Sequence, residues 1–173
     1  METPAPFKMG SLDHVHIRVP NRDEAAEWYR AHLGFEPVPR FEFWATGFEG
    51  GPLQISADGG HTTLAVFEAT LEHPMVAHAT GIAFTVNADM FIRFALALPG
   101  PFLAPDGSTL STSDLVDLDM CWSYDFCDPW GNTFELNTYD YDEVTHELIE
   151  AHSITPVRYW PSELFDQYRA NRS

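Results

Sequence analysis

Two imidazoles stand two residues apart in LDHVHIRV, residues 12–19. Imidazole nitrogens bind divalent metals and exchange protons near neutral pH, so the spacing of His14 and His16 bears directly on chemistry. Successive side chains of an extended strand point to opposite faces. Val15, Ile17 and Val19 therefore take the buried face, and His14, His16 and Arg18 share the other. Imidazoles at i and i+2 start about 6.5–7 Å apart, so both serve one point only if the rings lean together. Two further segments carry ionisable groups on an alternating pattern. In FELN, Phe134 and Leu136 turn to the core and Thr133, Glu135 and Asn137 turn away; in CWSYDFC, Trp122, Tyr124 and Phe126 turn in and Cys121, Ser123, Asp125 and Cys127 turn out.

The elements that must position these groups follow from periodicity. After the first strand, Ala25, Ala26, Trp28, Tyr29 and Leu33 recur at helical spacing and Gly34 supplies the stop. Strands are predicted at about 38–45, 52–56 and 61–68, separated by TGFEGGP and SADGG. The order β-α-β-β-β then returns: GIAFTV as a strand, NADMFIRFALALPG as a helix stopped at Gly100, and strands near 101–104, 113–127 and 132–138 with APDGS and DPWGN as turns. An offset of 67 carries His14 onto Gly81, Val15 onto Ile82, Ile17 onto Phe84 and Val19 onto Val86, and carries Phe67-Glu68 onto Phe134-Glu135. The predicted organisation is one domain over 1–173, with modules at 11–68 and 79–138 and a helical tail at 139–173. In the tail, YDEVTHELIEAH reads as a helix with Val144, Leu148 and Ile149 inward, and PVRYWPSELFDQYRANR as an aromatic segment with a short closing helix, packing on the sheet or on a second subunit.

Bulk properties exclude several classes. With 173 residues and 45% hydrophobic content the chain can bury a substantial core. A net charge of −17, with one lysine against eight arginines, argues against nucleic acid and anionic membrane, which require a basic face. No apolar run reaches the roughly 18 residues of a membrane helix and no signal pattern opens the chain, so the expected compartment is the cytoplasm. Cys121 and Cys127 stand six residues apart on one predicted strand, too far along an extended chain for a disulfide.

The repeated module, the opening LDHVHIRV…AAEWYRAHLGFEPV and the closing YDFCDPWGNTFELNTY resemble the vicinal oxygen chelate superfamily over about residues 11–138. That superfamily includes glyoxalase I, extradiol dioxygenases, fosfomycin-resistance proteins and bleomycin-binding proteins. The resemblance implies an α+β fold in which two tandem βαβββ modules form a curved mixed-sheet cup around a divalent metal and an oxygen-bearing small substrate, commonly in a homodimer. Carried over residue by residue, it implies His14, Glu68 and Glu135 as metal ligands for Fe(II), Mn(II), Zn(II) or Ni(II), while the second-module histidine falls on Gly81. His16 then either replaces that histidine or lines the cup as an acid/base group, and Asp125, where extradiol enzymes place a tyrosine, is a second proton-transfer candidate. His78 is a substitute ligand only if its strand starts earlier. Arg18 binds an anionic group or a neighbouring carboxylate; His61, His73, His146 and His152 read as surface residues, and the cysteines as small fillers. Two functions are expected to compete: a metal-dependent enzyme acting on vicinal oxygens, dioxygenase-like or glyoxalase-like, and a metal-free protein that sequesters a small molecule.

Overall fold

The structure is a computed structural model describing residues 10–77, 80–159 and 161. His78 and the predicted closing helix lie outside the described residues. The chain divides into two compact units between Met75 and Val76, and each builds its own α+β sheet.

In the first unit β1 (His14–Val19) leads into α1 (Arg22–Leu33), then β2 (Glu36–Pro37), α2 (Glu42–Thr46), β3 (Leu53–Ser56) and β4 (Thr63–Glu68). The sheet order is β1-β4-β3-β2, with β1 parallel to β4 and the remaining pairs antiparallel. The apolar face of β1 is buried as its alternation requires: Ile17 is 1% and Val19 0% exposed. Ala25, Ala26 and Tyr29 form the buried stripe of α1. That helix begins where Asn21 accepts hydrogen bonds from the N–H groups of Asp23 and Glu24, and it ends at Gly34, whose φ of 69° suits a residue without Cβ. The strand predicted over 38–45 is instead a 3₁₀ turn, Pro39–Phe41, running into α2. Pro39 fixes a turn-forming φ at its first position, and Arg22 holds the following loop by donating from Nη1 to the carbonyls of Ala45 (3.2 Å) and Gly51 (2.7 Å).

The second unit runs β5 (Gly81–Thr85), α3 (Ala88–Leu96), β6 (Val116–Asp117), β7 (Trp122–Cys127), β8 (Thr133–Thr138), α4 (Tyr141–Val144), which widens into a π-helical segment at Thr145–Ala151, and β9 (Val157–Arg158). Its sheet order is β5-β8-β7-β6-β9. Phe91 and Phe94 of α3 meet Tyr124, and Phe94 also meets Phe126, at ring-centroid distances of 5.6 Å, so the inward aromatics of β7 form the core. The helix stops at Leu96 rather than at Gly100, because Pro99 disfavours a helical Leu98 and has no N–H to continue the ladder. The long strand predicted over 113–127 is interrupted. Asp119 takes a φ of 67°, and its N–H is held by Asp117 Oδ1 at 2.8 Å, a local side-chain turn that ends β6. The segment predicted as a strand over 101–104 contributes only bridges from Leu103 to Thr109 and Cys127. The tail adds a strand, β9, parallel to β6. Leu148 and Val144 are buried as predicted, while Ile149 is half-buried.

Candidate functional site

Parallel register partners lie on the same face of a sheet. On the first unit His14 pairs with Thr63, His16 with Ala65 and Arg18 with Phe67, so these six side chains form the face opposite α1. The two imidazoles lean together. Their rings stack with centroids 4.9 Å apart and planes 20° apart, and the two Nε2 atoms approach to 3.0 Å. Nδ1 of His14 meets Asp13 Oδ2 at 2.6 Å. The edge of Phe67 rests against His16 at 5.0 Å, and the Arg18 guanidinium lies over the same ring at 5.4 Å, an arrangement favourable for a cation on an aromatic face. Partial burial, the neighbouring His14 and Arg18 push the His16 pKa down.

The structure does not bring Glu68 to His14. Glu68 pairs with Val19, five positions along the strands, and so belongs to the helix-side face. Its Oε1 accepts from the N–H of Arg22, the first residue of α1, at 3.4 Å, where a carboxylate complements the helix N-terminus. The repeat explains the difference. Between the first strands the offset is 67, since His14 opens β1 and Gly81 opens β5, but His14 pairs with Thr63 and Gly81 with Thr133, an offset of 70 between the last strands. Three extra residues invert the face, and Ala65 occupies the register position that Glu135 holds in the second unit.

On the second unit Ser123, Asp125 and Cys127 of β7 pair with Asn137, Glu135 and Thr133 of β8. Asp125 and Glu135 are direct cross-strand neighbours on one face. Ser123 Oγ donates to Glu135 Oε1 at 3.0 Å. Burial first, and the Glu135 charge second, push the Asp125 carboxyl above the usual range. Val116, Leu118, Ser123, Asp125, Glu135 and Tyr159 line an open recess of about 370 Å³. Asn137 Oδ1 is buried and has no hydrogen-bond partner among the described residues. Both cysteines are free and buried, and burial is the main cause raising their pKa values, which suits fillers rather than nucleophiles. His146 pairs with Glu150 and His152 with Glu147, both on the tail helix.

Sequence reasoning missed Asp13 and the recess wall. Asp13 carried a readable signal, a carboxylate adjacent to the first imidazole. Val116, Leu118 and Tyr159 carried none, because the tail's return as a strand beside β6 depends on long-range pairing.

Among the described residues no three His, Cys, Asp or Glu side chains gather as a metal cage. Taken unit by unit, the imidazole tips on β1 and the Glu135 carboxylate on β8 are donor types that first-row divalent ions accept. Ala65, at the register position of Glu135, and Gly81, at that of His14, supply no donor.

Comparison with known proteins agrees with the fold. The model of the Glyoxalase/Bleomycin resistance protein/Dioxygenase superfamily matches residues 11–97, just over half of the chain. Oxidase ChaP-H1 is similar at 19% identity and a TM-score of 0.55, over 77% of this chain and 98% of that one. A superfamily member from Sphaerobacter thermophilus DSM 20745 aligns at 19% identity and 0.52, over 75% and 98%. TnmS3, an antibiotic-binding protein from Streptomyces sp. CB03234, aligns at 16% and 0.50, over 77% and 98%. At these identities the likeness concerns the fold alone. No curated protein matches the sequence. Among the described residues no helix is long and apolar enough to cross a membrane.

Proposed function

We propose, from the premise that the chain belongs to the Glyoxalase/Bleomycin resistance protein/Dioxygenase superfamily, that it is a metal-assisted enzyme acting on a small substrate with neighbouring oxygens. The observation that carries this reading is the Asp125–Glu135 pair on adjacent strands, set in a solvent-open recess with apolar walls. A divalent ion, Fe(II), Mn(II), Zn(II) or Ni(II), would be held with Glu135 as one ligand, and when bound it supplies Lewis-acid stabilisation of charge on the substrate oxygens. The protein's own residues do the rest. Ser123 orients Glu135 through Oε1. Asp125, its pKa raised above that of an ordinary aspartate, is the candidate to hold and release a proton at its carboxyl. Val116, Leu118 and Tyr159 bury the substrate's apolar part.

A second reading, metal-free sequestration of a small hydrophobic molecule, is favoured by Gly81 and Ala65, which stand without donors at the register positions of His14 and Glu135. Metal content of the untagged chain, followed by oxygen uptake with catechols under Fe(II), separates the two. Stoichiometric metal and turnover abolished by Asp125→Asn support the enzyme. A metal-free chain that binds aromatic ligands equally well after chelation supports sequestration.

A further inference from the structure

The recess on the second unit is graded across its strands. Glu135 stands on β8, Ser123 and Asp125 on β7, Val116 and Leu118 on and just after β6, and Tyr159 at the far edge, so polar groups line one side and apolar groups the other. The apolar edge is set by β9, the outer strand of the sheet. Val157 pairs in parallel register with Val116, and Tyr159, two residues on, returns to the same face. β9 has two residues, both exposed, held where the Val157 N–H donates to the Leu115 carbonyl at 2.7 Å and the Tyr159 N–H to the Asp117 carbonyl at 3.3 Å. The tail is firmly seated as far as its helix and lightly held beyond it. Val144 and Leu148 are fully buried, whereas Ser153 takes a φ of 56°, a left-handed turn that a serine adopts at a cost, and Tyr159 is 64% exposed. A short edge strand with exposed side chains opens at a fraction of the free energy of global unfolding.

We propose that β9 is a strap that closes Tyr159 over a planar aromatic ligand held in the recess. A ring lying against Val116 and Leu118 presents its oxygens to Ser123, Asp125 and Glu135, and the Tyr159 ring covers its free side. Ligand and strap then stabilise each other, because the ligand covers apolar surface that Tyr159 otherwise leaves in water, and a ligand that binds only the closed strap draws it shut by mass action. The inference rests on the recess being the substrate site and adds to it the ligand's shape and the way it is enclosed.

The test is amide hydrogen exchange of the full chain, read by NMR, with and without catechol in air-free buffer. In the free chain the Val157 and Tyr159 amides are expected to exchange at least about 100-fold faster than those of Phe134 and Leu136 on β8, a strand paired on both sides. Catechol at about ten times its Kd is expected to slow them about 10-fold. Tyr159→Ala is expected to weaken catechol binding about 10-fold and Tyr159→Phe by less than about twofold, since the ring rather than the hydroxyl makes the cover. Val157→Pro removes the N–H that ties β9 to Leu115 and is expected to weaken binding about fivefold with Tyr159 still present; thermal unfolding verifies that each variant is folded. Strap amides that exchange as slowly as those of β8, or that bound catechol leaves unprotected, overturn the strap while the recess stands, as does catechol binding by Tyr159→Ala within about twofold of the unsubstituted chain. No catechol binding by the unsubstituted chain up to about 10 mM overturns the recess as the substrate site, and the strap with it.

Discussion

Asp125 and Glu135 illustrate how far a single pair of residues can be read. Alternation in CWSYDFC and FELN put both on one face, and the register makes them direct neighbours. A carboxylate whose folded pKa lies above its unfolded value, about 3.9 for aspartate, binds more protons in the folded state within the window between the two values. Stability therefore falls as pH rises through that window. Asp125→Asn removes the penalty, and we expect a melting temperature about 1 °C higher than that of the unsubstituted chain at pH 7, with the gain vanishing below about pH 3.9. Thermal unfolding at the two pH values measures it. Glu68 shows the opposite case. Its identity suggested a ligand, but face assignment by a fixed repeat offset fails when one half gains three residues. Glu68→Gln is expected to cost about 0.5 kcal/mol through the lost charge at the start of α1, read by chemical denaturation, and to leave cation affinity within twofold.

At the scale of elements, β1, α1, β3, β4, β5, α3, β7 and β8 were legible because each carries an uninterrupted period and a recognisable stop. Ile17 and Val19 on β1, and Trp122, Tyr124 and Phe126 on β7, are buried as their alternation requires. Elements failed where one residue overrode the pattern. Pro39 opens a turn inside an apolar run that reads as a strand, and Asp119, in the left-handed region, cuts a continuous β pattern between β6 and β7. The opposite face of β7 was read only in part. Asp125 is only partly covered, but Ser123 and Cys127 are each 2% exposed, so the outward set is a partly covered surface rather than an open polar one. On the inward face the Tyr141 hydroxyl donates to Asp117 at 2.9 Å and its ring stacks on Trp122 at 4.9 Å, fixing the start of the tail to the sheet.

For the whole molecule, two halves of one pattern have diverged in their chemistry. The first unit carries imidazoles at the start of its first strand, and the second carries carboxylates on its last two, with glycine and alanine at the corresponding positions of each partner module. Membership of the superfamily was legible from the opening and closing motifs; the division of donors was not, because it depends on register. The central claim is that Glu135, in the recess beside Asp125, helps hold a divalent ion. Zn(II) titration of the untagged chain and of Glu135→Gln by calorimetry tests it most directly. About one ion per chain is expected, with affinity falling at least about 10-fold in the variant, as for removal of a ligand or its support. Zn(II) affinity unchanged in Glu135→Gln, or no uptake by the unsubstituted chain, would contradict the claim.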